Sequence, residues 1–273
     1  MRRNFFRKVG VNLFEDAAVI YSAARRVNPN YTGDLIRVRE SGGNTLSNIG
    51  FDVNGNLDTT ALLAHCGAND GFVVTWYDQS GNGNNATQGT ASNQPKIVSS
   101  GSLITVNSKP SILFKNALSG GNILLNLSNV TSAETLSLFS VVKADVQESN
   151  RVFLNISDGS NASSISQGSV SDDTFGYRNL GRSNANISTA SNLNQSLLSA
   201  IEVSSTASFY LDNSLALGTN TNRISTSGSQ IGNNGSSTYG MNGKLQEIII
   251  YTLDQSTNRA AIESNINSYY SIY

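Results

Sequence analysis

Glu247 stands directly before the run Ile248-Ile249-Ile250, apolar enough to be a strand covered on both faces, by an opposing sheet and by a helix. A carboxylate there is buried or at a cleft, which is where acid–base chemistry recruits its groups. The same place suits a structural acid bonded to backbone N–H groups or to an arginine, and this is the commoner outcome. Asp78, followed by Asn82, Asn84 and Asn85, offers oxygen ligands of the kind a hard cation such as calcium takes, so calcium is the one cofactor to consider. The spacing matches no dedicated calcium loop, and a tight turn whose Asp and Asn side chains bond their own backbone is preferred. No other cofactor is expected. His65 and Cys66 are the only His and the only Cys. As neighbours on a short helix they point in different directions, which excludes a catalytic dyad, and serine-hydrolase chemistry has no second base to draw on. Tyr177, Tyr239 and the pair Tyr269-Tyr270 are candidates for stacking on sugar rings, and Asn233-Asn234 for hydroxyl recognition. Tyr269 and Tyr270 equally suit pinning the last helix to the core.

These groups need elements to hold them. Asn12 and Glu15 have capping-box spacing, and Leu13, Ala17, Ile20, Tyr21 and Ala24 form one stripe, which predicts a helix ended by Asn28-Pro29. A strand is expected over Leu35–Arg39. Asp58 caps a short helix through Leu62 and Leu63 that stops at Gly67. Val73–Tyr77 reads as a buried strand, followed by strands at Ser111–Lys115, Leu136–Lys143, Arg151–Ile156, Leu197–Val203 and Lys244–Tyr251. Ser208–Leu211 and Leu215–Leu217 flank Asp212-Asn213, a tight-hairpin signal. Ile262, Ile266, Tyr269, Tyr270 and Tyr273 give the last segment a helical period, with Asp254 or Ser256 as its cap. Turn clusters at this spacing, with only 14 % charged residues and an abundance of Asn, Ser, Thr and Gly, point to an all-β sandwich. Residues 1–8 are read as a basic arm and 9–273 as one sandwich domain.

The formal net charge of −1 excludes a nucleic-acid field over the whole domain. Arg2, Arg3, Arg7 and Lys8 load the amino terminus with positive charge, but Glu15 and Asp16 interrupt the apolar stretch that a secretory leader requires. No run is long enough to span a bilayer as a helix. A single cysteine allows no internal disulfide.

Two stretches carry a resemblance. The first runs Tyr31-Thr32-Gly33, Ile36-Arg37-Val38-Arg39, Ile49-Gly50-Phe51-Asp52 and Trp76-Tyr77-Asp78-Gln79-Ser80-Gly81-Asn82-Gly83-Asn84. It resembles the amino-terminal half of the catalytic domain of fungal-type α-L-arabinofuranosidase B, a module that phage and bacterial proteins also use. The second, Gly243–Tyr251 followed by a helix, is similar to the closing strand and helix of laminin-G-type sandwiches. The resemblance implies a concanavalin A-like jelly-roll β-sandwich with short N-terminal and C-terminal helices. It also implies retaining glycosidase chemistry, which needs two carboxylates about 5–5.5 Å apart. Carried onto this sequence, the acid/base falls in Ile231-Gly232-Asn233-Asn234-Gly235, where Asn234 replaces the aspartate; an amide has no proton to give a leaving oxygen. The nucleophile falls near Phe175-Gly176-Tyr177-Arg178-Asn179, which has no Glu; the nearest acids are Asp172 and Asp173.

On those departures the sequence predicts a degenerate site and a non-enzymatic, phage-type virion protein: a head decoration, fibre or tail-tip subunit located in the virion. Its sandwich would contact host-surface or environmental glycans through Asn233, Asn234, Tyr177, Tyr239 and Glu247. The arm Arg2, Arg3, Phe5, Phe6, Arg7, Lys8 would dock onto other virion proteins, and a homo-oligomer is expected, with no nucleic-acid or membrane partner. The alternatives are a glycoside hydrolase of arabinofuranosidase type, with Glu247 as one of its carboxylates, and a purely structural subunit without ligand. An extracellular location is the alternative to the virion.

Overall fold

The structure is a computed structural model. It describes residues 12–115, 122–127, 130, 135–148, 151–157, 162–167, 174–180, 186–190, 193–204, 206–216, 218–219, 228–233 and 239–273. Strands that alternate apolar and polar residues must bury one face, and here two layers do so against each other.

One layer centres on Asn242–Tyr251, which pairs along one edge with Val19–Ser22 and Ile112–Lys115 and along the other with Thr135–Ala144. The layer continues through Gln195–Val203, Thr206–Leu211 and Ser214–Leu215. In the second layer, Leu46–Ile49, Ile36–Glu40, Gly71–Trp76, Ala86–Thr87, Leu125–Leu127 and Gln230–Ile231 pair in that order. Arg151–Ser157, Ala162–Gln167, Thr174–Leu180, Asn186–Ala190 and Gly218–Thr219 follow. Lys96–Ser99 pairs with a strand of each layer and joins them at one end.

Period-2 alternation decides which way each side chain points. Ile248 and Ile250 face the second layer, whose inward row includes Ile36, Trp76, Ile231, Leu154, Ile165 and Tyr177. Ile249 and Tyr251 face away from it, against Ile262, Ile266 and Tyr270 of the carboxy-terminal helix. The run Ile248-Ile249-Ile250 is thus covered by a sheet and a helix, as its composition predicts. Burial of each such aliphatic chain contributes about 1.5–3 kcal/mol.

Helix α1 (Thr59–Cys66) is capped as expected: Asp58 accepts from the Ala61 N–H, and Gly67 at φ 55° closes the end. At the carboxy-terminal helix α2 (Arg259–Tyr270) the cap position is Asn258, not Asp254 or Ser256. Asp254 instead accepts from the Ser256 N–H in a turn ahead of the helix. The hairpin at Asp212-Asn213 forms, both residues having positive φ.

The helix expected from Asn12 does not form. Asn12 accepts from the Phe14 N–H in a local turn, and Val19–Ser22 is a fully buried strand. Its stripe residues include Ile20 and Tyr21, which serve a strand as well as a helix. Four ladder positions on Asn242–Tyr251 outweigh a weak helix preference. The strands Ala162–Gln167, Thr174–Leu180 and Asn186–Ala190 were not foreseen, because Ser- and Asn-rich segments carry little apolar signal. The proposed arm, residues 1–8, lies outside the described residues.

Candidate functional site: the polar face of the second sheet

The second layer turns a polar surface away from the core. Directly opposed residues run Asn48, Arg37, Thr75, Thr87, Asn126, Gln230, Asn155 and Ser164 across eight successive strands. Every position holds an amide, a hydroxyl or a guanidinium residue. The row is open at Asn48, Arg37, Thr87 and Asn126, and closes at Asn155 and Ser164, which are buried. At the transition, Gln230 donates from Nε2 to Asn126 Oδ1 at 3.2 Å, and Asn155 Nδ2 donates to the Gly228 carbonyl at 2.6 Å. Their other ends, Gln230 Oε1 and Asn155 Oδ1, are buried acceptors with no hydrogen-bond partner among the described residues, and on the strand beside Asn155 the Ser166 hydroxyl and the Gln167 Nε2 donor are likewise unpaired among them. Buried polar atoms left unpaired cost stability, and a site that reads ligand hydroxyls is one reason to keep them.

The residues singled out by sequence are elsewhere. Glu247 is 1 % exposed and faces α2. Its Oε2 accepts from Arg25 Nε at 2.9 Å and from the Tyr270 hydroxyl at 3.1 Å, and its Oε1 from Arg25 Nη2 at 2.7 Å. Burial pulls the Arg25 pKa down, but the adjacent carboxylate overrides this and holds it above its usual value. Burial, followed by the Glu247 charge, pushes the Tyr270 hydroxyl well up. This is the structural pairing, not a cleft carboxylate, and it corrects Glu247 as a glycan contact. Tyr177, expected at the surface, is fully buried between the sheets; its ring stacks with Phe209 and its hydroxyl donates to Glu202. The expectation failed because Tyr177 occupies the inward register of its strand, opposite Ile165.

Asn233 is also buried. It follows Gly232, whose φ of 83° and position against the Phe114 ring admit no Cβ: one would lie 2.2 Å from that ring. The chain there is tied by Gly232 N–H to the Phe153 carbonyl and by Met241 N–H to the Gly232 carbonyl. Tyr239 is half-buried and its carbonyl accepts from the Val152 N–H. Asn234 lies outside the described residues.

Asp78 takes the turn role. Oδ1 accepts from the N–H groups of Ile20 and Ser80, both at 2.9 Å; Oδ2 accepts from Ser80 Oγ at 2.7 Å and the Asn84 N–H at 3.0 Å. Four donors fill the lone-pair positions of a carboxylate. Asn82 and Asn84 donate to the carbonyls of Ala17 and Ala18, and Gln79 bonds the backbone of Val27 and Arg25. The Asp-Gln-Ser-Gly-Asn-Gly-Asn motif is therefore a clasp that fixes the segment from Ala17 to Val27. Among the described residues no group of three or more His, Cys, Asp or Glu side chains is arranged to hold a metal.

With this geometry the chain superposes on an arabinofuranosidase complexed with arabinofuranosyl-α-1,2-xylobiose, with TM-score 0.68 and 15 % identity over 92 % of this chain and 62 % of that one. The fold is the arabinofuranosidase β-sandwich. A GH54 α-L-arabinofuranosidase soaked with a cyclic sulfate inhibitor gives TM-score 0.65 at 14 % identity, with the same coverage. The chain thus spans 62 % of the length of these arabinofuranosidases. No family model and no curated protein matches it.

This comparison overturns the expectation of a non-enzymatic virion subunit: both of these structures, which share the fold over 92 % of this chain, are arabinofuranosidases, and they favour the alternative reading. The polar row was invisible in sequence because each residue is an unremarkable polar side chain in its own strand. Alternation within the strands was the available signal, but it does not say which strands are neighbours.

Proposed function

We propose that the chain is a glycoside hydrolase of arabinofuranosidase type, acting on arabinofuranosyl groups of a polysaccharide, with the polar face of the second sheet as its sugar-contacting surface. The observation that carries this reading is the arabinofuranosidase fold along 92 % of the chain. The polar row supports it: amides, hydroxyls and unpaired acceptors suit a ligand that is mostly hydroxyl groups.

Glycoside hydrolysis uses two carboxylates. The buried carboxylates of the described residues already have structural roles: Glu40 in its own loop, Asp78 in its turn, Glu202 with Tyr177, Glu247 with Arg25 and Glu263 with Arg259. The reacting pair is therefore sought first among Glu134, Asp158, Asp172 and Asp173, which lie outside the described residues. Asp172 and Asp173 immediately precede in sequence Thr174–Leu180, the strand that pairs with Ala162–Gln167.

The test is arabinose release from arabinoxylan and from 4-nitrophenyl α-L-arabinofuranoside. Turnover by the full chain is expected, falling about a hundredfold or more in the Asn or Gln variant of each reacting acid. A folded protein that releases sugar from neither substrate overturns the proposal.

A further inference from the structure

A recess lies where the segment after Val19–Ser22, the turn from Asp52 to Asn56 and the end of α2 meet. It encloses about 420 Å³ and is lined by Arg25, Arg26, Pro29, Val53–Asn56 and Tyr269. That volume is within the range of small-molecule sites.

Its walls are held rigidly. The Arg26 N–H donates to the Gly55 carbonyl at 2.7 Å and the Leu57 N–H to the Ala24 carbonyl at 2.9 Å. Asp52 Oδ1 accepts from the N–H groups of Asn54 and Asn56, so this acid is engaged within its own turn. The Tyr269 hydroxyl donates to Asn56 Oδ1 at 2.9 Å. The clasp built on Asp78 and Gln79 fixes the Arg25 segment from behind.

Three side chains of the lining keep uncommitted donors. Arg25 uses Nε and Nη2 on Glu247, leaving Nη1. The Arg26 guanidinium is exposed, rests 4.6 Å from the Phe51 ring centroid and has no carboxylate partner among the described residues. Asn56 has spent its oxygen and keeps its amide N–H groups. Beside these donors stand apolar surfaces: Pro29 is exposed and Val53 is fully exposed at 100 %.

We infer that this recess binds an acidic sugar, a pyranose unit carrying a carboxylate such as a uronic acid. The carboxylate would lie on Arg26 with help from Arg25 Nη1, since a guanidinium fork matches a planar carboxylate. The ring's C–H faces would rest on Val53 and Pro29. A bare inorganic anion has no use for that apolar rim, and a neutral sugar has no use for an unpaired guanidinium. The inference does not depend on the hydrolase reading, because a free uronic acid has no glycosidic bond to cleave.

The experiment titrates the full chain with sodium D-glucuronate, sodium sulfate, sodium acetate and D-glucose, followed by NMR shifts or calorimetry. Glucuronate should bind about tenfold more tightly than each of the other three. Arg26→Ala should lose that preference, with Arg26→Lys retaining part of it. Asn54→Asp, which brings a negative charge to the recess, should weaken glucuronate binding too and serves if the Arg26 variants fold poorly. Equal binding of sulfate or acetate, equal binding of glucose, or glucuronate affinity unchanged by folded variants would each overturn the assignment.

Discussion

Arg25 and Glu247 form a two-pronged ion pair beneath α2, 222 residues apart in sequence and joined at 2.9 and 2.7 Å. Their side chains are 12 % and 1 % exposed. Removing one partner of so buried a pair leaves the other charge uncompensated. Glu247→Gln is expected to lower unfolding free energy by about 3 kcal/mol, read from urea denaturation, while activity per folded molecule stays within about twofold of wild type. Lost turnover with unchanged stability would instead make Glu247 a reacting group.

Glu202 is a carboxylate between the sheets, and the Tyr177 hydroxyl is one of its donors. Tyr177→Phe removes a hydrogen bond to a charged group and should cost about 1.5–3 kcal/mol. In the Glu202→Gln background the same change should cost less, and a double-mutant cycle measures the difference. Additive effects would show that the two groups do not support each other.

Glu40 titrates far below the usual range because it sits among N–H donors. The Thr45 N–H contributes most to lowering its pKa, against an opposing effect of burial, and Gly43 N–H, Gly42 N–H and the Thr45 hydroxyl add to it; together they take it from its usual 4.5 to about 2. Since the folded pKa is depressed, the native state gains stability from the ionised form above about pH 4.5 and loses it as pH falls towards 2. Chemical denaturation at stepped pH should show Glu40→Gln with a shallower acid dependence across that window. Parallel curves for the two proteins would remove Glu40 from the acid response.

Gln230 offers a buried, unpaired Oε1 where the polar row closes. If sugar hydroxyls donate there, Gln230→Leu should raise KM by about five- to tenfold, the worth of one hydrogen bond. Michaelis–Menten analysis on 4-nitrophenyl α-L-arabinofuranoside decides it, and an unchanged KM places the sugar elsewhere.

Local chemistry made much of the fold legible. Asp58 and Gly67 bracket a helix, Asp212-Asn213 closes a hairpin, and Ile248-Ile249-Ile250 demands cover on both faces, because caps, turns and alternation act over a few residues. Everything that depended on distant partners had to wait for the tertiary structure. Val19–Ser22 is a strand only because Asn242–Tyr251 lies beside it; Tyr177 is buried because its register points it at Phe209; Glu247 is neutralised by a residue near the other end of the chain. The polar row and the basic recess are likewise sums over separate segments. A strand's sequence specifies which of its side chains share a face, but only the pairing of whole sheets determines what that face meets.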